Sequence, residues 1–328
     1  MKNKSQLSPL LHGIKTLMYH RIDVSETDPW SICVSIKFFE EQIKFLKNNF
    51  NIISSDDLIE QVTTNNIIKD SICITFDDGY ADNYTNAKPI LEKYNCPATF
   101  FISTAFINST KHFWWDELEI ILLHSIELPG RLLLEFNGEI HSYIFDENKL
   151  TEKQLVQHAH WKWYETPPTD RCEMFLKIWG KLRLLINDDI EMHINVLRMW
   201  AGAKNITNSR IPMNDHQLIE LSKNPLFTIG MHTHTHPDLK GKHMAFQLEE
   251  ITICKKTINT KYGVDSNCLA YPYCRYDDDT IKAVKKLKVK ACFTTCATDM
   301  YVYLDMTIIG RCQMFDEGSA SLQKLLKS

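Results

Sequence analysis

Short apolar runs alternate with longer segments in which apolar residues recur every three to four positions. Runs such as 72–76 predict strands that are buried on both faces, as in parallel sheets. The spacing of Phe38, Ile43 and Leu46 predicts a helix with one buried face. The predicted strands are 16–19, 50–53, 72–76, 98–102, 227–231, 268–271, 291–294 and 307–310. The predicted helices are 37–48, a short helix that Ser55 caps, 83–94, 215–223, 244–262, 278–287 and 317–326.

This alternation predicts an α/β fold with a parallel sheet and right-handed crossovers. In an α/β barrel, functional residues lie at the C-terminal ends of the strands. Residues 107–213 interrupt the alternation and are too long for a plain loop. They look mostly helical, with a hairpin around Asn137-Gly138. We therefore expect one domain over 1–328 with an insertion at 107–213, which holds six of the seven tryptophans.

Composition and charge argue against some classes of partner and location. The net charge is −4 and no basic stripe is present, which argues against nucleic acid. The sequence contains no run of about twenty apolar residues, so we expect no transmembrane helix. The stretch Leu10-Leu-His-Gly13 interrupts any signal-peptide core, and the ten cysteines show no regular framework. We expect free thiols and a cytoplasmic location; the sequence does not indicate the oligomeric state.

Two adjacent carboxylates, Asp77 and Asp78, end the apolar run 72–76. Strand side chains alternate between faces, and Gly79 permits a sharp turn directly afterwards. One carboxylate can therefore bind a cation while its neighbour remains available as a base. Alternatively, an aspartate here caps a following helix.

His232 and His236 are four residues apart, which on a helical turn places both imidazoles on one face. His234 would point elsewhere. Imidazole suits zinc and other first-row metals, and two histidines with one carboxylate leave coordination positions open. The alternative is a polar turn before Pro237. Together with a spare carboxylate, the pattern indicates metal-assisted hydrolysis.

A third element is the run Tyr271-Pro272-Tyr273, where an apolar strand enters a loop. A backbone N–H that follows such a proline can be held towards a developing oxyanion. The alternative is an ordinary proline turn with aromatic packing.

These motifs, in this order, resemble the NodB-homology polysaccharide deacetylases of carbohydrate esterase family four. The resemblance covers roughly 15–105 and 215–315, and it implies a deformed (β/α) barrel of that type. The segments that carry it are Thr75-Phe-Asp-Asp-Gly79, His232-Thr-His-Thr-His236-Pro237, Tyr271-Pro-Tyr273, Tyr80-Ala-Asp-Asn83, Pro97-Ala-Thr-Phe-Phe101 and Met18-Tyr-His-Arg21.

The resemblance implies a role for each motif residue. Asp77 would be the general base, and Asp78, His232 and His236 would bind one divalent metal ion. Zinc is expected from the ligand types, with cobalt, nickel or manganese as alternatives. The backbone N–H of Tyr273 would stabilise the oxyanion.

The sequence departs from the family pattern in two places. The family usually carries an arginine shortly before the third-motif proline, where this chain has Leu269-Ala-Tyr271; Arg311 or Arg275 could replace it. The late histidine that usually serves as general acid is missing. A branch of the family places this histidine in an N-terminal Tyr-His motif, which His20 matches; the alternative is a buried structural histidine.

The resemblance implies metal-dependent removal of N-acetyl groups from a carbohydrate, with a surface-glycan precursor as the expected substrate. The alternatives are hydrolysis of another small amide, of the sugar deformylase or ureide hydrolase type, and an inactive carbohydrate-binding relative. Trp114, Trp115 and Asp116 are candidates for a sugar platform or lid, and Arg311 for a further substrate contact. Alternatively, the two tryptophans pack the core of the insertion itself.

Overall fold

The computed structural model describes residues 13–144, 148–202, 210–295 and 305–327. These residues form two compact units. The first unit comprises the described residues of Met1–Asp23, Ile32–Asn108 and Met213–Ser328, and the second comprises those of Val24–Ser31 and Ser109–Pro212. The second unit lies close to the bounds expected for the insertion, but it also takes in 24–31, which no sequence pattern indicated. That the whole chain is one domain stays a prediction.

The described residues contain twelve strands and eleven α-helices, besides short 3₁₀ and π turns. The strands are β1 (Ile14–Tyr19), β2 (Arg21–Ile22), β3 (Cys33–Val34), β4 (Asn51–Ile53), β5 (Ser71–Phe76), β6 (Ala98–Ile102), β7 (Arg131–Phe136), β8 (Glu139–Ile144), β9 (Phe227–Met231), β10 (Cys268–Ala270), β11 (Ala291–Phe293) and β12 (Cys312–Gln313). The helices are α1 (Ile36–Asn49), α2 (Ser55–Thr63), α3 (Lys88–Lys93), α4 (Trp114–Glu119), α5 (Glu152–His160), α6 (Asp170–Leu182), α7 (Asn187–Ala201), α8 (Asp215–Lys223), α9 (Met244–Tyr262), α10 (Asp278–Lys286) and α11 (Ser319–Lys327).

The first unit is built on a parallel sheet in the order β11-β10-β9-β6-β5-β1-β12, with β4 beside the first half of β5. A parallel bridge joins Phe293 to Ile309, and three residues later Cys312 pairs with Leu17 of β1. The sheet therefore curls back towards its first strand. This confirms the predicted α/β barrel, and all strand C-termini reach the same edge.

The core of this unit follows from the strand registers. All six residues of β5 are buried, as expected for a central parallel strand. Phe76 pairs with Tyr19 on one side and Phe100 on the other, and its ring stacks on theirs at centroid distances of 5.3 and 4.9 Å. Stacked aromatic rings on three adjacent strands thus fix the register just before the strands end.

Three element boundaries differ from the predicted ones. Ser54, not Ser55, caps α2, and it forms a reciprocal capping box with Asp57. The helix predicted over 83–94 begins with a π-helical turn, Asn83–Ala87, before α3. The strand predicted at 307–310 is a single bridge at Ile309, and the paired strand is β12.

The second unit contains the predicted hairpin, β7–β8, which turns at Asn137 and Gly138 with positive φ at both. Helices α4 to α7 make up most of the rest, which confirms the expected helical character. The side chains buried here include Leu118, Phe175 and Ile194. Among the described residues, no helix is long and apolar enough to cross a membrane.

Candidate functional site

Three side chains from two strand ends converge at the C-terminal edge of the sheet. Asp78 follows β5, and His232 follows β9 with His236 four residues later. Oδ1 of Asp78 lies 3.3 Å from Nε2 of each histidine. One ligand atom from each residue lies within 4.8 Å of the others, and all three residues are buried. The structure thus brings together the three predicted metal ligands.

The segment that carries the two histidines is a loop, so the predicted helical turn is wrong. Strand β9 ends at Met231, and both Thr233 and His236 have positive φ angles, 64° and 58°. The backbone N–H of His236 donates to Oγ1 of Thr233 at 3.1 Å. Glu250 on α9 accepts from the N–H groups of His234 and Thr235. This tight, braced turn brings the imidazoles together in place of helical spacing.

The donor set fits a divalent first-row metal ion. Nδ1 of His232 lies 2.8 Å from the carbonyl oxygen of Ala270. A hydrogen bond from that nitrogen to the carbonyl assigns its proton and leaves the lone pair of Nε2 directed at the other ligands. Burial raises the pKa of Asp78, but the combined interactions with the adjacent His232 and His236 outweigh it and hold the pKa well below its usual range. Two imidazoles and an ionised carboxylate are ligands that zinc and its neighbours accept.

Asp77 faces a different partner, Arg311, which directly precedes β12. Nη1 and Nη2 of Arg311 donate to the two carboxylate oxygens at 2.6 Å each. Arg311 also donates to the carbonyl of Thr294 at 2.9 Å and to Oγ1 of Thr75 at 3.1 Å. Burial raises the pKa of Asp77, but the charge of Arg311, the neighbouring His232 and the hydrogen bonds from Arg311 together outweigh it and lower the pKa. Asp77 is therefore ionised at neutral pH, as a general base must be.

The two arginines proposed to replace the missing third-motif arginine have separate partners. Arg311 holds Asp77, whereas Nε of Arg275 bonds the buried Asp238 at 3.0 Å. Arg311 therefore occupies the place expected for the arginine that holds the catalytic aspartate. Its side chain is 0% exposed, so the predicted substrate contact by Arg311 does not fit this structure.

His20 follows β1 directly and is half-buried. Tyr19 pairs with Phe76, and the backbone N–H of Asp77 donates to the carbonyl oxygen of Tyr19 at 3.0 Å, so β1 and β5 end at the same level. His20 therefore follows β1 at the edge of the sheet where Asp77 and Asp78 follow β5. Its role as general acid stays a prediction.

Tyr273 lies in the turn after β10. Tyr273 and Cys274 have positive φ angles of 56° and 55°. Residues other than glycine adopt such angles at an energetic cost. The Tyr273 ring packs edge-on against the His236 ring at 4.5 Å between centroids. The turn places Tyr273 directly beside His236, a predicted metal ligand, and the oxyanion role of the Tyr273 N–H stays a prediction.

The sequence matches the family model for polysaccharide deacetylases over residues 64–128 and 188–292, which together exceed half of the chain. The chain belongs to the polysaccharide deacetylase family. It is 30% identical over 151 residues to YxkH of Bacillus subtilis (strain 168), covering 44% of this chain and 53% of YxkH. The chain thus spans about half the length of that relative.

A longer match is to the poly-beta-1,6-N-acetyl-D-glucosamine N-deacetylase of Staphylococcus epidermidis. It is 24% identical over 293 residues, covering 85% of this chain and 71% of the relative. Among solved structures, a de-N-acetylase from Aggregatibacter actinomycetemcomitans superposes with a TM-score of 0.58 at 14% identity, covering 95% of this chain and 99% of that one. This likeness shows that the fold is the deacetylase barrel.

Three of the four predicted substrate contacts, Trp114, Trp115 and Asp116, lie in the second unit. Trp114 and Trp115 are only 5% and 6% exposed. The Trp115 ring stacks on Phe113 at 4.7 Å and meets Trp114 edge-on at 5.6 Å. Asp116 is buried, with Oδ1 3.5 Å from Nη1 of Arg210. This placement agrees with the alternative that the tryptophans pack the core of the insertion; contact with sugar stays a prediction.

Sequence reasoning assigned no role to the residues that surround this site. Thr75 and the carbonyl of Thr294 orient Arg311, and the carbonyl of Ala270 orients His232. Asp82 and Asn83 bond the backbone just beyond β1. The signal for the last two was present, since both belong to the run Tyr80-Ala-Asp-Asn83, but a motif does not reveal its partner.

Proposed function

We propose that this protein is a metal-dependent deacetylase that hydrolyses N-acetyl groups on a carbohydrate. The observation that carries the proposal is that two adjacent carboxylates have different partners. Asp78 shares one face with His232 and His236, whereas Asp77 is turned towards Arg311 and remains ionised. A binding protein has no need for an oriented base beside a metal site.

Asp78, His232 and His236 would hold the ion. A divalent ion bound there would polarise the acetyl carbonyl and lower the pKa of water. Asp77 takes the proton from the attacking water, and Arg311 keeps its carboxylate oriented and ionised. General-base catalysis of this kind contributes roughly 10²–10⁴-fold.

The remaining steps fall to His20 and Tyr273. The backbone N–H of Tyr273 donates to the oxyanion of the tetrahedral intermediate. His20 protonates the leaving amine, which is necessary because an amide nitrogen leaves poorly as an anion. The histidine pKa range suits this transfer near neutral pH.

The substrate class follows from the family and from one relative. The Staphylococcus epidermidis protein is named for poly-beta-1,6-N-acetyl-D-glucosamine. We propose an N-acetylated hexosamine chain or its precursor in surface-glycan synthesis as the substrate. The cytoplasmic location also stays a prediction, which fractionation of cells that produce the protein would test.

The test compares metal-loaded wild type with Asp77→Asn and His232→Ala. Each is incubated with β-1,6- and β-1,4-linked N-acetylglucosamine oligomers, and released acetate and free amine are both quantified. We expect equal amounts of the two products from wild type only. Sugar binding without acetate release would contradict catalysis. Faster release of formate from N-formyl analogues would favour the deformylase alternative.

A further inference from the structure

The backbone just beyond β1 is held by the side chains of two residues that follow Gly79. Nδ2 of Asn83 donates to the carbonyl oxygen of His20 at 2.7 Å and to Oδ1 of Asp82 at 2.8 Å. Asp82 accepts from the backbone N–H of Ile22 and from Nε of Arg21, both at 3.1 Å. Three successive residues, 20 to 22, are thus bonded by two adjacent side chains.

This group is buried, so its hydrogen bonds are expensive to lose. Asn83 is 0% exposed, Arg21 2% and Asp82 4%. The guanidinium of Arg21 also lies over the ring of the buried Tyr80, 5.5 Å from its centroid. A buried polar group that loses its partner costs about 1–3 kcal/mol, which disfavours other arrangements. Asn83 also opens the π-helical turn Asn83–Ala87, a distortion that is frequent at functional sites.

Among the described residues, the imidazole of His20 lacks the hydrogen bond that usually orients a catalytic histidine. Such a histidine is commonly held by a hydrogen bond from one ring nitrogen to a carboxylate or carbonyl. Within the described part of the chain, the buried Nδ1 of His20 has no such partner. The ring direction therefore depends on the backbone of residue 20, and the side-chain bond that holds this backbone comes from Asn83.

We propose that Asn83 is a positioning residue that acts through His20. Its amide fixes the His20 carbonyl, and this holds the imidazole at the edge of the sheet where Asp77 and Asp78 lie, for proton transfer to the leaving amine. The inference rests on the proposed deacetylase function and on the acid role of His20 within it.

The chain offers a matched control on the same helical segment. Nδ2 of Asn86 donates to the carbonyl of Ile22 at 2.8 Å, an equivalent bond two residues beyond His20. Loss of that bond loosens the same loop without releasing the His20 carbonyl. A purely structural role for Asn83 predicts similar effects from both asparagines.

The experiment is a double-mutant cycle on the metal-loaded full chain with His20→Ala, Asn83→Ala and both changes, beside Asn86→Ala. Metal content, kcat and KM are measured with an N-acetyl amide and with an activated acetate ester, whose leaving group needs no proton. We expect Asn83→Ala to lower amide kcat by roughly ten- to a hundredfold, as displaced catalytic groups do, with KM and metal content unchanged. Ester turnover should fall much less, and Asn83→Ala should add nothing in the His20→Ala background. Asn86→Ala should stay near wild type.

Three results overturn the proposal. If Asn83→Ala lowers amide kcat as strongly in the His20→Ala background as in wild type, Asn83 does not act through His20. Equal losses in the Asn83 and Asn86 variants indicate general loosening. Normal amide turnover in His20→Ala removes the acid role, and the positioning role with it. Asn83→Ser, which keeps a donor and disturbs packing less, serves if Asn83→Ala does not fold.

An NMR measurement separates failure of this inference from failure of the proposed function. Long-range ¹H–¹⁵N spectra report each imidazole, and the His20→Ala variant identifies the His20 signals. Asn83→Ala should shift the His20 ring signals and leave those of His232 and His236 in place, whether or not wild type releases acetate. Unchanged His20 signals contradict the positioning role by themselves.

Discussion

At the scale of single residues, the two neighbouring aspartates differ because the chain turns sharply between them. Asp77 directly follows β5 and forms an ion pair with Arg311. Asp78 has a positive φ of 71°, and its side chain faces the histidines. Identical side chains thus acquire different chemistry from the backbone that carries them.

The first prediction separates these roles. Asp78→Ala should lose metal and activity together, because it removes a ligand. Asp77→Asn should keep most of its metal and lose turnover, because it removes a base. Elemental analysis with acetate release measures both. A metal-free Asp77→Asn protein would show that the assignments are reversed.

The second prediction concerns the buried pair of Asp77 and Arg311, which are 2% and 0% exposed. Arg311→Met leaves a buried carboxylate without its counter-charge, and such changes cost about 3–5 kcal/mol. We expect a fall of that order in the free energy of unfolding, measured by urea denaturation. The double variant Asp77→Asn/Arg311→Met should recover much of the loss, since no charge is then stranded. Additive losses would contradict direct pairing.

At the scale of elements, the site depends on where β9 lies, because His232 follows this strand at once. Gly230 of β9 lies against neighbouring side chains: a Cβ there would overlap the Phe101 ring and lie 3.2 Å from Sγ of Cys268. The sequence Ile229-Gly-Met231 therefore needs its glycine for close approach of β6 and β9.

The third prediction is that Gly230→Ala destabilises the protein by about 1–3 kcal/mol through overpacking and weakens metal binding by displacing His232. Urea denaturation and metal titration measure the two effects. Gly180→Ala is the control, because a Cβ at this α6 position meets nothing within 4 Å. This change should stabilise the helix by about 0.5–1 kcal/mol. Equal effects of the two changes would refute the packing argument.

At the scale of the whole molecule, the chain carries two compact units, and the tryptophans are unevenly divided between them. All seven tryptophans lie within Val24–Ser31 and Ser109–Pro212, the second unit. Tryptophan fluorescence therefore follows unfolding of that unit, whereas the candidate metal site belongs to the first. A single unfolding free energy need not describe both.

The fourth prediction uses this signal. Trp115→Ala should lower the stability reported by tryptophan fluorescence by about 3–5 kcal/mol, because it removes a buried ring. Trp163→Ala, at a position that is 50% exposed, should change it far less. Normal stability in Trp115→Ala together with a raised KM would instead support the sugar-contact hypothesis.

The sequence by itself determined most of the sheet strands, most of the helices and the three residues of the candidate metal site. These depend on local information: apolar periodicity, turn residues, and side chains placed directly after strand ends. Because parallel strands end at one edge of a sheet, Asp78 and His232 could be placed together before any coordinates were known.

Only the tertiary structure decided which arginine holds Asp77, which segment groups with the insertion, and which side chain bonds the His20 carbonyl. Arg311 and Asp77 are 234 positions apart, and Arg275 was an equal candidate until strand order brought β12 beside β1. Residues 24–31 carry no periodic signal, so their place in the second unit follows from packing alone. The bond from Asn83 to the His20 carbonyl joins a side chain to a backbone atom. Sequence patterns record side-chain type and spacing, but such a contact depends on where two distant backbones meet.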